Sequence, residues 1–391
     1  MQKLFFDYTI FAFAFLSVNA IFPVYFTDIL EINSSQVGLY LLFGSFASQG
    51  ARILGAPLIS LLPIKIAYPV LCGIGAIGYI ILAVSSSSFF ICCALLMIGF
   101  GYGSNSIYTK AALADPSLPN TLNYRYAKLN VCLNVSAAIG PLVATWLFST
   151  VEPLLPFMIS AALVSIAGLV ALRSHNNKVS ISKQSNLLIT FKAHICSLPL
   201  NLTFLLTVIM WATYAQIYSS VPLFVNEQLG VFQWFGLLLT LNAILVIFFS
   251  IPISKFFTKI NTTEFTLCGI GFILFAFSFI SMYYFNSLFM IAVAVSVFTF
   301  AEILIIPAIS SILITYIPDG MRVGILSWNA IAVALGEGSG KWIGVNVIAS
   351  YSQLKGNNPF LLLMLLPLSG IVLIITFKFI LNTKIGGTNV R

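Results

Sequence analysis

Apolar and polar positions alternate along this chain on a long scale. Apolar runs occupy 4–27, 37–62, 67–84, 89–112, 124–149 and 154–172, and again 200–221, 234–253, 265–284, 288–316, 323–350 and 359–381. Short polar segments, such as Glu31-Ile32-Asn33-Ser34-Ser35, separate them. A helix needs about 20 apolar residues to cross a hydrocarbon core of roughly 30 Å, and each run approaches or exceeds that length. The first run contains Ser17-Val18-Asn19-Ala20, a weak cleavage site for a signal peptide. It continues through Phe26, however, so it reads as a retained first span. The pattern predicts an all-α membrane protein of twelve transmembrane helices arranged as two pseudo-symmetric six-helix bundles. The expected units are an N-terminal bundle at 1–172, a cytoplasmic central loop at 173–198 and a C-terminal bundle at 199–391.

Composition supports lipid as the solvent. Of 391 residues, 60% are hydrophobic and 7% charged, and mean hydropathy is +1.04. A soluble domain has roughly 25% charged residues. The net charge of +8 could suggest nucleic acid. The basic residues are spread over short connections, though, which fits membrane orientation and excludes a solvated basic patch. With both termini in the cytoplasm, Lys3, Lys65, Lys110, Arg125, Lys128, Arg173, Lys178, Lys183, Lys192, Lys255, Lys259, Arg322, Lys378, Lys384 and Arg391 fall inside or at the inner rim. Lys355 falls outside, and Arg52 and Lys341 lie within spans. The basic stretch from Arg173 to His194 fixes the centre of this topology. The six cysteines show neither CxxC spacing nor clustering with histidine, so they read as small apolar residues.

The two halves echo each other. Arg125 opens span five and is followed by Gly140, and Arg322 opens span eleven and is followed by Gly336. Span two runs through Pro57 to Lys65, as span eight runs through Pro252 to Lys255 and Lys259. Weak internal symmetry of this kind is a property of secondary transporters built from repeats.

Several stretches carry a family resemblance. Ala301-Glu302-Ile303-Leu304-Ile305-Ile306-Pro307, followed by Pro318-Asp319-Gly320-Met321-Arg322-Val323-Gly324, is similar to spans ten and eleven of drug/proton antiporters of the major facilitator superfamily. Ser136-Ala137-Ala138-Ile139-Gly140-Pro141 resembles the Gly-Pro antiporter motif, with Ser136 at the place of its leading glycine. The segment Gly55 to Lys65 has Ser60 where the family carries an aspartate. Ala51-Arg52-Ile53-Leu54-Gly55 and Asn123-Tyr124-Arg125-Tyr126-Ala127-Lys128-Leu129 look more like proton symporters that import sugars or aromatic acids. The resemblance covers the whole chain and implies the twelve-helix transporter fold, with the direction of transport open.

Candidate site residues follow from depth and periodicity. Arg52 lies about 15 residues, roughly 22 Å, into span two. It forms one polar stripe with Ser45, Ser48 and Gln49. A lipid-facing arginine there costs several kcal/mol, so the stripe is expected to face a central cavity, the alternative being an arginine that snorkels or pairs structurally. Glu302 lies about 14 residues into span ten, near mid-depth. Burial disfavours a charged carboxylate, which suits Glu302 to carry a proton; the alternative is a structural acid holding backbone or Lys341. Glu337 and Lys341, four residues apart on span eleven, read as an internal ion pair or as a pair opened by a proton or an anionic solute. Gly336, Gly340 and Gly344 indicate close helix packing. Asn105, Tyr108, Asn130, Asn134, Asn242 and Asn329 are candidate polar groups of the cavity, and Trp211, Tyr214 and Tyr218 form an aromatic stripe that could equally be packing. Gly73-Ile74-Gly75-Ala76-Ile77-Gly78 matches a dinucleotide fingerprint only by chance, because it follows no strand.

The expected function is secondary active transport of a small amphipathic or anionic organic solute by alternating access, coupled to protons, with efflux favoured. A proton symporter importing an organic acid, sugar or siderophore-like carboxylate is the alternative. A multi-span membrane enzyme or sensor is the competing class, but no catalytic constellation, nucleotide loop or metal-ligand cluster appears in the sequence. The partners implied are the solute, protons and the lipid bilayer of the cell inner membrane, with the chain acting as a monomer, no nucleic acid and no cofactor.

Overall fold

The computed structural model describes residues 2–60, 62–114, 120–172, 195–284, 287–318, 321–353 and 358–386. The central loop from Arg173 to His194 lies outside them, as do Asp319, Gly320 and Lys355. No β-strand occurs among the described residues, and twelve helical spans account for almost all of them. Helix is the expected solution, because a lipid-exposed backbone must satisfy its own hydrogen bonds.

Spans one to six are Gln2–Val24, Ser34–Ser60, Ile64–Val84, Ser88–Leu113, Leu122–Thr150 and Leu155–Ala171. Spans seven to twelve begin at Leu198–Tyr214 and continue with Phe235–Lys259, Glu264–Tyr284, Leu288–Thr315, Arg322–Gln353 and Leu365–Gly386. By length and apolar composition alone, nine described segments qualify as membrane-crossing, and Leu155–Ala171 is a shorter apolar helix. Spans two and eleven are not among the nine, and both carry the charges and small polar residues of the interior.

Two spans depart from simple helices. After Pro23, span one winds on through a π turn at Tyr25–Ile29, where the Leu30 amide donates to the Tyr25 carbonyl at 3.1 Å. Span seven tightens into a 3-10 turn at Ala215–Tyr218 and resumes as Ser220–Glu227. Its polar side chains make the break tolerable in lipid: Gln216 donates to the carbonyls of Ala212 and Gly340, both at 2.9 Å. The expected run at 200–221 therefore ends one turn too early.

The pairing of helices repeats between halves. Span one packs on five and six, two on four, and three on four and six. Each of these pairs recurs six spans later: seven on eleven and twelve, eight on ten, and nine on ten and twelve. The glycines singled out in the sequence occupy equivalent crossings. A Cβ added to Gly140 on span five would lie 2.7 Å from Ser17 Oγ on span one, and one added to Gly336 on span eleven would lie 2.8 Å from Trp211 Cβ on span seven. Between the halves, span two packs along eleven and span five along eight.

Candidate functional site

Because the connections are short, odd-numbered spans start from one face, here the N-terminal face, and even-numbered spans start from the opposite one. At the opposite face the halves are in direct contact. A Cβ on Gly38, near the start of span two, would meet Trp342 Cδ1 of span eleven at 2.8 Å. At the equivalent place on span eight, Gly236 lies against Leu142 and Thr145 of span five, and its amide donates to Thr145 Oγ1 at 3.2 Å. Thr240 on span eight adds a bond to the Ala138 carbonyl at 2.5 Å. Asn226, at the end of span seven, donates to Asp28 Oδ2 beside span one at 2.7 Å.

Toward the N-terminal face the halves diverge around a cavity of about 780 Å³. Its deep end is bounded by Asn19, Gln49, Glu337 and Lys341, and its walls reach Thr262 and Glu264 at the connection between spans eight and nine. None of the residues that seal the opposite face lines it.

The deep end holds a charged cluster shared by the two halves. Lys341 Nζ lies 2.7 Å from Glu337 Oε1, with side chains 5% and 17% exposed. Span two supplies Ser45, which donates to Glu337 at 3.2 Å and accepts from Lys341 at 3.1 Å, and Gln49, which donates to Glu337 Oε2 at 3.1 Å. Asn19 of span one accepts from Lys341 at 3.4 Å. The ion pair thus belongs to one half and its neutral partners to the other. Arg52, one turn beyond Gln49, places its guanidinium carbon 5.9 Å from the centre of the Tyr102 ring. Tyr102 in turn stacks on Phe15 at 3.8 Å, and Arg52 Nε is buried without a hydrogen-bond partner.

Glu302 occupies the other wall. Its Oε2 accepts from Asn242 Nδ2 at 2.8 Å, and the same amide lies 2.9 Å from Thr299 Oγ1. Tyr214 is a further hydrogen-bonding neighbour, and Tyr214 lies beside Tyr218, with ring centres 6.2 Å apart. Glu302 therefore has polar partners in a stretch of wall that is otherwise apolar, since Ile303, Leu304 and Ile306 line the same cavity. Lys341 pairs with Glu337 and not with Glu302.

Of the candidate residues, Arg52, Gln49, Asn130, Asn134, Trp211, Tyr214, Tyr218, Asn242, Glu302, Glu337 and Lys341 line this one cavity. Three do not. Asn105 is buried between spans three and four, where it accepts from Thr109 at 3.0 Å, and Thr109 also bonds Tyr68. Tyr108 packs edge-on against Tyr68 in the same cluster. Asn329 accepts from Thr207 of span seven at 3.1 Å. Sequence reasoning passed over Asn19, Tyr8, Tyr102 and Lys110, all of which line the cavity. A further acid, Asp7, lies within the first helix and is 2% exposed. Among the described residues no group of three histidine, cysteine or acidic side chains is placed to hold a metal.

Two repeated halves, sealed at one face and parted around a cavity at the other, define a membrane transporter of the alternating-access class. The chain belongs to the Major Facilitator Superfamily, whose sequence model matches residues 4–340. Solved structures share the fold over nearly the full length. One is a POT family transporter in complex with a thioalcohol-conjugated peptide, at 15% identity and a TM-score of 0.79, covering 98% of this chain and 96% of that one. Another is a POT family transporter with 5-aminolevulinic acid, at 15% identity and TM-score 0.78, covering 97% and 95%. A third is a point mutant of the nucleoside transporter NupG, at 17% identity and TM-score 0.74, covering 96% and 99%. No curated protein matches the chain by sequence. At these identities the likeness is one of fold, and none of the three is a drug/proton antiporter, the subfamily that the motifs of spans ten and eleven resemble.

Proposed function

We propose that the chain is a proton-coupled secondary transporter that exports a small amphipathic or anionic organic solute across the cytoplasmic membrane. It works as a monomer, with both termini and the central loop in the cytoplasm. Residues 1–172 and 199–391 rock against each other about the cavity, linked by 173–198. The observation that carries this reading is Glu302. It is an acid in the wall of a cavity between the halves, held by Asn242 and close to Tyr214, with no described cation paired to it. Coupling needs a group whose charge changes between the two states, and Glu337, neutralised by Lys341, is less free to change. Arg52 and the Tyr102 wall supply the contact for the solute.

The test is transport in proteoliposomes containing only this protein. Glu302→Gln should retain exchange without a gradient at saturating solute but lose accumulation driven by a pH gradient. Arg52→Ala should weaken binding while leaving coupling in place. Wild-type uphill transport by Glu302→Gln would assign Glu302 a structural role and make Glu337 the next candidate. The sign of the gradient that drives accumulation decides direction, and accumulation on the side the proton enters marks the alternative, import of an organic acid, sugar or siderophore-like carboxylate.

A further inference from the structure

The charges of the cavity are not mixed; they are sorted by half. Of the described cations on its walls, Arg52 and Lys110 come from spans two and four of the N-terminal half. Lys341 is held by Glu337. The remaining acids, Glu264 and Glu302, come from spans nine and ten of the C-terminal half. Glu264 accepts from Ser311 at 3.1 Å near the mouth, and Glu302 from Asn242 deeper in. Neither Arg52 nor Glu302 meets an opposite charge in an ion pair among the described residues, so one wall offers a cation and the facing wall a carboxylate. Aromatic rings border both: the Phe15–Tyr102 stack beside Arg52, and Trp211, Tyr214 and Tyr218 beside Glu302.

We propose that the solute is amphoteric with a flat aromatic body, its anionic group taken by Arg52, its amine by Glu302, and its rings by the aromatic residues between. This rests on the reading of the cavity as the transport site and narrows it to a substrate class. A carboxylate on a guanidinium and an ammonium on a carboxylate are charge-assisted hydrogen bonds, which are shorter and stronger than neutral ones. Because the two partners belong to different halves, a solute that reaches both is bound best when the halves approach. Its binding energy therefore favours closure of the mouth, which a solute with only one charged end cannot do. The Glu337–Lys341 pair contributes no net charge to this recognition.

The probes are tryptophan, glycyl-tryptophan and tryptophyl-glycine, against tryptamine, which keeps only the amine, and indole-3-propionate, which keeps only the acid. Binding is measured on the full chain in lipid nanodiscs by thermal shift and by titration. At least one amphoteric probe should bind at least tenfold more tightly than both singly charged ones. Glu302→Gln should then weaken the amphoteric probe and tryptamine by tenfold or more and leave indole-3-propionate unchanged, and Arg52→Gln should give the converse pattern. Glu302→Asp and Arg52→Lys serve as second variants should the first ones unfold, which their unliganded melting temperatures reveal. Failure of all three amphoteric probes to bind, or equal binding by a singly charged probe, overturns the proposal. A probe that binds in this pattern yet is not exchanged across proteoliposomes overturns the transport reading and leaves the recognition standing.

Discussion

Removing one member of the Glu337–Lys341 pair should destabilise the protein more than removing both charges together. Lys341→Met leaves Glu337 with only Ser45 and Gln49 as donors, at 3.2 and 3.1 Å. Glu337→Gln leaves the Lys341 ammonium with the neutral oxygens of Ser45 and Asn19, at 3.1 and 3.4 Å. Breaking a buried pair by removing one partner costs about 3–5 kcal/mol, because the other charge stays desolvated. Glu337 borders the cavity and its side chain is 17% exposed, so Lys341→Met belongs at the low end, about 3 kcal/mol. Lys341 is 5% exposed, which places Glu337→Gln at the same cost or above it. The double variant buries no charge and should cost about 1–2 kcal/mol, the scale of the neutral hydrogen bonds lost. In thermal unfolding of the protein in nanodiscs, each single change should lower Tm by roughly 6 °C and the double by roughly 2–4 °C. A double variant that melts at or below both singles would refute the argument, since it would show that the pair stabilises by its attraction and not by mutual cover.

Two further outcomes follow from the architecture. Gly38→Val and Gly236→Val place a branched side chain where a Cβ alone already meets span eleven or five within 3 Å, so each should hold the sealed face open. A cysteine at the Tyr218 position should then react with a membrane-impermeant maleimide from outside the cell, and solute exchange should fall at least tenfold; unchanged labelling would show that the crossings are not the seal. Cys196, exposed just before span seven on the N-terminal face, should be labelled by the same reagent in inverted membrane vesicles and protected in intact cells. Labelling from outside would reverse the orientation assigned from the basic residues.

The spans were legible because lipid imposes a length on apolar runs, and the polar stripe of span two because four polar residues recur on one of its faces; that the stripe meets the ion pair of span eleven was not. Glu302 and Arg52 stood out by depth alone. Asn19 carried no such signal: a single amide in an apolar run has no periodicity, and only the approach of Lys341 from span eleven, in the other half, gives it a role. Tyr8 and Tyr102 look like any membrane tyrosine until the other half faces them. Asn105 and Tyr108 failed in the opposite sense, since polar groups on span four can be satisfied by span three as well as by a cavity. Asp7 escaped notice because it lies within two turns of the start of the first run, where a charge reads as part of the flank.

The ion pair at the deep end also has an electrical consequence. Both charges ride on span eleven, one turn apart, and the groups of spans one and two that hydrogen-bond them are neutral. When the sealed face parts, Ser45, Gln49 and Asn19 withdraw and water takes their places, but no positive charge leaves a negative one behind. A full charge moved across the membrane field is worth about 2.3 kcal/mol per 100 mV, and a closely spaced dipole that travels as a unit moves almost none. The swing of this gate is therefore electrically silent. On the coupling proposed above, a dependence of turnover on membrane potential reports the cargo and the proton assigned to Glu302, and a voltage-clamped vesicle measures it.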